Sequence, residues 1–145
     1  MNHDSYDEAY IRDVLASVRT IALVGASANQ VRPSYFVLKY LIAKGYAVTP
    51  INPVLAGQQI AGATVHLRLA DTPGPIDMVD IFRNSEAALG VVEDAIAEQS
   101  RLCIGVIWMQ LGVRNDEAAR RAEGAGMRVV MNRCPKIEYG RLSGE

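Results

Sequence analysis

Thr20–Ser34 reads TIALVGASANQVRPS, and the order of its parts decides the fold. Thr20–Val24 is short, apolar and rich in β-branched residues, the pattern of a central parallel strand buried on both faces. It stops at Gly25, passes through the small-residue loop Gly25-Ala26-Ser27-Ala28, and becomes amphipathic near Ser34. Strand, tight turn and helix in that order open a nucleotide-binding α/β domain, where backbone N–H groups at a helix start hold phosphate. The unit predicts a ligand with a phosphate-bearing, adenosine-type group.

The pattern repeats outward from this unit. Upstream, Ile11, Val14, Leu15 and Val18 recur at helical spacing and predict a helix over Tyr6–Val18, capped by Asp4 or Ser5. Downstream, Leu38, Leu41 and Ile42 form one stripe of a helix over Ser34–Lys44, and Gly45 stands where a left-handed C-cap belongs. Ala47–Ile51 is a second strand, stopped by Asn52-Pro53. Val54–Leu69, with Gly57 and Gly62, reads as a loop or a short irregular piece. A turn at Thr72–Pro75 leads into a third strand, Ile76–Phe82. Asn84 or Ser85 caps a helix to about Gln99, with Ala88, Val91, Val92, Ala95 and Ile96 on its inner face. Leu102–Met109 is a fourth strand, Asn115 caps a helix ended by Gly124 and Gly126, and Met127–Met131 is a fifth. Asn132–Glu145 reads as a tail.

Strands alternating with helices imply one α/β domain over 1–145, a parallel sheet covered on both faces by right-handed crossovers. Half of the 145 residues are hydrophobic, enough for a real core, and a net charge of −1 offers no global attraction to nucleic acid or an anionic membrane. The polar N-terminus is not a signal peptide, and no apolar run approaches the ~20 residues that span a bilayer. Two cysteines, Cys103 and Cys134, fit a reducing cytoplasm, and with only His3 and His66 no spacing suggests a metal site.

Ligands of such sheets bind at the carboxyl ends of the strands. In the first of these loops Gly25 lets a phosphate approach the backbone, Ser27 offers a hydroxyl and Arg32 a charged fork. The full G-x-G-x-x-G fingerprint is missing, so a plain turn without a ligand stays open. The second strand ends in Asn52-Pro53, where NAD-binding folds place an Asp or Glu on the ribose hydroxyls. NAD is therefore disfavoured, and Asn52 either touches a ribose or base edge or simply ends the strand. In Phe82-Arg83-Asn84-Ser85, Phe82 flanks a base or belongs to the core, and Arg83 meets a phosphate or solvent. Trp108 lines a pocket or packs; Gln110 is the better polar candidate beside it. Cys134 has no base that the sequence places near it, which favours a structural thiol. No Ser-His-Asp set or paired carboxylates can be assembled, and Asp80, a candidate buried carboxyl, has no support as a general base.

The stretches TIALVGAS (Thr20–Ser27), RPSY (Arg32–Tyr35), INP (Ile51–Pro53), VDIFRNSE (Val79–Glu86), WMQLGV (Trp108–Val113), NDEAA (Asn115–Ala119) and VVMNRCPKIE (Val129–Glu138) together resemble the small stand-alone CoA-binding proteins. The fold of that family is similar to the CoA-binding domain of the succinyl-CoA synthetase α subunit. The resemblance implies a Rossmann-like, three-layer, doubly wound fold with a five-stranded, mainly parallel sheet. It also implies coenzyme A or acyl-CoA as ligand. By that resemblance Gly25, Ala26 and Ser27 cradle the pyrophosphate and Arg32 and Ser34 lie at its edge. Asn52 and Pro53 border the adenosine half, and Phe82 and Arg83 face it across the cleft. The synthetase's phosphorylated histidine lies in a further domain without a counterpart in these residues, so the ligase reaction is not carried over.

The leading expectation is non-catalytic CoA binding, with any protein partner left open. The alternatives are an enzyme acting on a CoA thioester near Cys134 or Gln110, an NAD(H)-binding redox sensor, and an interaction protein with a vestigial pocket.

Overall fold

A computed structural model describes residues 1–144. The strands are β1 (Thr20–Val24), β2 (Ala47–Ile51), β3 (Gln59–Ile60), β4 (Ala63–Thr64), β5 (Met78–Ile81), β6 (Val106–Met109) and β7 (Arg128–Val130). The helices are α1 (Glu8–Ser17), α2 (Pro33–Ala43), α3 (Ser85–Leu102), α4 (Asp116–Gly124) and α5 (Pro135–Ser143). Five strands form a parallel sheet in the order β2-β1-β5-β6-β7, a Rossmann-like α/β fold. The chain leaves β1 toward β2 on one side and returns to β5 on the other. The order therefore reverses between β1 and β5, and a crevice opens at their carboxyl ends.

The sequence explains these placements. Pro50 has no N–H to give a neighbour on both sides, and β2 is accordingly an edge strand. Alternate residues of the central strands feed two cores. Val79, Ile81, Ile107 and Met109 pack under α3 and α4; Ile21, Leu23, Met78 and Trp108 pack under α1, α2 and α5. Asn84 Oδ1 accepts from Ala87 N at 2.8 Å and Asn115 Oδ1 from Ala118 N at 2.9 Å, so both asparagine caps form. Gly45 ends α2 at φ +99° with its N–H on Ile42 O.

Four expected boundaries move. Helix α1 begins at Glu8 behind Asp7, not at Tyr6 behind Asp4 or Ser5. Tyr6 is drawn to β7 instead, where its hydroxyl accepts from Met131 N at 2.9 Å, and Asp4 pairs with Arg114 at 2.9 Å. Helix α3 runs on to Leu102, which the sequence places in the fourth strand. Cys103 then closes the helix in the left-handed region at φ 61°, donating to Gln99 O. An unbroken apolar run, LCIGVIWM, carries no mark of that change from helix to strand. The expected irregular piece holds the β3–β4 hairpin, turned by Ala61 and Gly62 at φ 51° and 86°, then a 3-10 turn over Leu69–Asp71. The expected tail is largely α5, which opens on Pro135 at a position where the missing N–H costs nothing. Among the described residues no helix is long and apolar enough to cross a membrane.

Candidate functional site

Two adjoining cavities of about 560 and 400 Å³ lie at the carboxyl ends of the parallel strands, and Gly25, Asn52 and Arg83 line both. Each is within the range of roughly 300–1,000 Å³ usual for small-molecule sites. Gly25, Ala26, Ser27, Arg32, Ser34, Asn52, Phe82 and Arg83 all line the larger. Pro53 lines only the smaller. The structure thus brings the candidate residues from four separate stretches of chain to one crevice.

Their roles differ from the simplest reading of the loop. Gly25 sits at φ +92°, and a Cβ on it would press into the Phe82 carbonyl, 2.9 Å from its carbon. Its lack of a side chain is therefore required for the close packing of the loop after β1 on the end of β5. The Gly25 and Ala26 amides donate to Ile51 O at 3.1 and 3.3 Å, so these two donors are already spent on the end of β2. An anion here relies on Ser27, on the guanidinium groups and on the start of α2. That helix has Arg32 at its N-cap without a side-chain cap bond and Pro33 in its first turn. Its positive end is therefore open to a ligand. Arg32 and Arg83 are exposed and, with Arg12, Arg19 and Arg120, form no ion pair among the described residues, whereas Arg68, Arg101, Arg114, Arg121, Arg128, Arg133 and Arg141 do.

Asn52 is a latch. Its Nδ2 donates to Ala26 O at 2.8 Å, and its Oδ1 accepts from Val54 N at 2.8 Å and Leu55 N at 3.3 Å. The side chain binds the first loop to the second and leaves no strong acceptor for a pair of ribose hydroxyls. Ser27 Oγ accepts from Asn29 N at 3.1 Å and keeps its own proton to donate. Phe82 is half-buried; it packs on the core under α1, α2 and α5 and also lines the larger cavity.

Trp108, Cys134, His3 and Asp80 fall outside the crevice. Trp108 is fully buried and donates from Nε1 to Arg133 O at 2.8 Å, which makes it a packing residue. Cys134 is buried at the start of α5 and lines neither cavity. His3 is held between the Tyr6 hydroxyl at 2.6 Å and Glu123 at 3.1 Å. Asp80 is fully buried between Leu23 and Trp108 of the flanking strands, both carboxyl oxygens lack a hydrogen-bond partner, and burial holds its pKa well above the usual carboxylate range.

The strand-end rule reaches one residue left at the margin of the sequence reading. Gln110, 7% exposed, lines the larger cavity with its Oε1 unpartnered. Leu67, Arg68 and Leu69 in the smaller cavity carry no local signal. They reach the site because the His66 backbone bridges to β2, with Asn52 N donating to His66 O and His66 N to Pro50 O.

Comparison with known proteins converges on one family. A family described as a CoA binding domain matches residues 19–140. The uncharacterized protein YneT of Bacillus subtilis (strain 168) is 33% identical over 132 residues, covering 91% of this chain and 93% of that protein. A hypothetical protein from Pyrococcus horikoshii OT3 superposes with a TM-score of 0.89 at 35% identity, over 99% of this chain and 97% of the other. The dinucleotide-forming acetyl-coenzyme A synthetase 1 of Ca. Korarchaeum cryptofilum matches with a TM-score of 0.63 at 26% identity, over 78% of this chain and 26% of the synthetase.

Proposed function

Since the chain belongs to the CoA binding domain family, we propose that it binds coenzyme A or an acyl-CoA in the crevice between β1 and β5 and performs no chemistry of its own on it. The observation that carries this reading is the pair of guanidinium groups, Arg32 and Arg83, that form no ion pair among the described residues and stand on the wall of two adjoining cavities at the strand ends. One cavity holds the adenosine half beside Asn52 and Pro53. The pyrophosphate lies at the junction, against Ser27, Arg32 and the start of α2, with Ser34 behind it. The remaining arm of the ligand runs into the larger cavity.

Two further features support the reading. Among the described residues, the lining of the larger cavity includes no histidine, cysteine or carboxylate to act as nucleophile or general base. The Asn52 latch takes the position where an NAD fold needs a carboxylate. We place the protein in the cytoplasm, where CoA and free cysteines such as Cys103 and Cys134 stay reduced.

Thermal unfolding with CoA, acetyl-CoA, NAD, NADH and ATP tests the proposal. A ligand at a hundredfold its Kd adds roughly 2.7 kcal/mol of stability, a rise of roughly 5–10 °C for a chain of this size. The expected result is a shift with the CoA species and none with NADH. A shift with NADH, or none with millimolar CoA, overturns it.

A further inference from the structure

The amino ends of β1 and β2 carry a cavity of about 570 Å³ that the CoA reading does not use. Three pieces of chain build it. Arg12, Leu15 and Ala16 come from α1, and Val18 and Arg19 from its link into β1. Lys44 and Tyr46 stand where α2 passes into β2, and Tyr139 and Leu142 close the cavity from α5. Its walls are largely apolar: Leu15 and Val18 are buried, and the Tyr139 ring stands edge-on to Tyr46 at 6.1 Å. Its charge is all of one sign. Arg12 and Arg19 are exposed and form no ion pair among the described residues, and the Lys44 ammonium lies 6.0 Å from the Tyr139 ring. No Asp or Glu is among the described residues that line it. Asp77 stands nearby, but its Oδ2 accepts from the backbone N–H groups of Arg19 and Thr20 at 2.8 and 3.2 Å.

The charge balance decides which ligand fits. Helices α1, α2 and α5 all end on this side of the sheet, and their last residues or C-caps line the cavity. Each helix end presents roughly half a negative charge on its open carbonyls. Together these ends offset about half of the charge on Arg12, Arg19 and Lys44, which leaves a surplus of roughly one to two positive charges. A polyphosphate carries more charge than that and meets no helix start here, whereas a single carboxylate or sulfonate balances it. The volume suits a small molecule, and the aromatic and aliphatic walls suit an apolar body. We propose that this cavity is a second ligand site, separate from the crevice between β1 and β5. It binds a small organic monoanion, with the anionic head on Arg12 and Arg19 and the apolar body against Leu15, Tyr139 and Leu142. The planar guanidinium fork matches the paired oxygens of such a head.

Fluorescence titration of the full chain with 8-anilinonaphthalene-1-sulfonate, a monoanion on an apolar ring system, tests the site. The expected result is one saturable site per chain, with the same affinity in the presence of millimolar CoA. In the double variant Arg12→Ala, Arg19→Ala the affinity for the probe is expected to fall about tenfold, the worth of two partly exposed ion pairs. Ala16→Glu sets a carboxylate into the wall and is expected to remove saturable binding. Arg12, Ala16 and Arg19 are exposed, so both variants are expected to melt like the parent. Absence of saturable binding, displacement of the probe by CoA, or parent-like affinity in either variant overturns the proposal. None of these outcomes depends on whether the crevice binds CoA, so the two readings fail separately.

Discussion

The two ends of the parallel sheet each carry a cavity, and they are built on opposite terms. At the amino ends of β1 and β2, about 570 Å³ is lined by Arg12, Arg19, Lys44, Tyr46 and Tyr139 among others. There Tyr46, Asp77 and Lys44 are engaged, although Arg12 and Arg19, like Arg32 and Arg83, form no ion pair among the described residues. Tyr46 donates to Leu15 O at 2.7 Å, Asp77 Oδ2 accepts from Arg19 N and Thr20 N, and the Lys44 ammonium lies 5.3 and 6.0 Å from the Tyr40 and Tyr139 rings. None of the residues around it holds a buried side-chain polar atom without a partner. At the carboxyl ends the volume is similar, but an enclosed amide oxygen, two guanidinium groups and a helix start are left open. Neither cavity size nor unpaired guanidinium groups distinguish the ends; the enclosed amide oxygen and the open helix start do.

The largest effect tests how rigidly the carboxyl end is built. Gly25→Ala forces a Cβ onto the Phe82 carbonyl at positive φ and is expected to cost roughly 2–5 kcal/mol in denaturant unfolding. Wild-type stability in that variant would mean that the loop is loose and glycine serves only ligand approach. Next, the double variant Arg32→Ala, Arg83→Ala is expected to weaken CoA by about a hundredfold, at about tenfold for each lost charge-assisted contact, with folding unchanged. Calorimetry reads it, and an effect under threefold would remove the phosphate role from this wall.

Asp80 sharpens the comparison within the carboxyl half, because it is an unpaired buried group closed to any ligand. Its folded-state pKa lies above the unfolded value of roughly 3.9. The folded chain therefore keeps a proton that the unfolded chain releases. That contribution is fully present below the unfolded pKa and is lost as pH rises toward the folded one. Melting temperature is expected to fall with rising pH across that window, and Asp80→Asn to flatten this part of the profile and gain on the parent as pH rises. Parallel profiles would show that Asp80 finds a partner in solution. The smallest effect belongs to the amino end: Arg12→Ala with Arg19→Ala is expected to leave CoA affinity within twofold, and a larger loss would put the ligand at the wrong end of the sheet.

The sequence alone determined β1 and β2 to the residue and the cap at Asn115, and it narrowed the other cap to Asn84 or Ser85. These are local: a buried parallel strand needs a continuous apolar run, and a helix start needs an oxygen that accepts from its first turn. The motifs of the resemblance also pointed to the CoA family, which the match over residues 19–140 bears out. Helix α5 escaped because only Pro135 and Glu138 among its residues are fully buried, so it shows no apolar stripe. Its place comes from packing, with Tyr139 edge-on to Tyr40 and Tyr46. Tertiary structure alone decided that Gly25 is required by Phe82, that Asn52 is spent holding two loops together, and that Gln110 is left without a partner. Each is a statement about which donors and acceptors are already used. That depends on groups dozens of residues apart meeting in space, and no local pattern of residues records it.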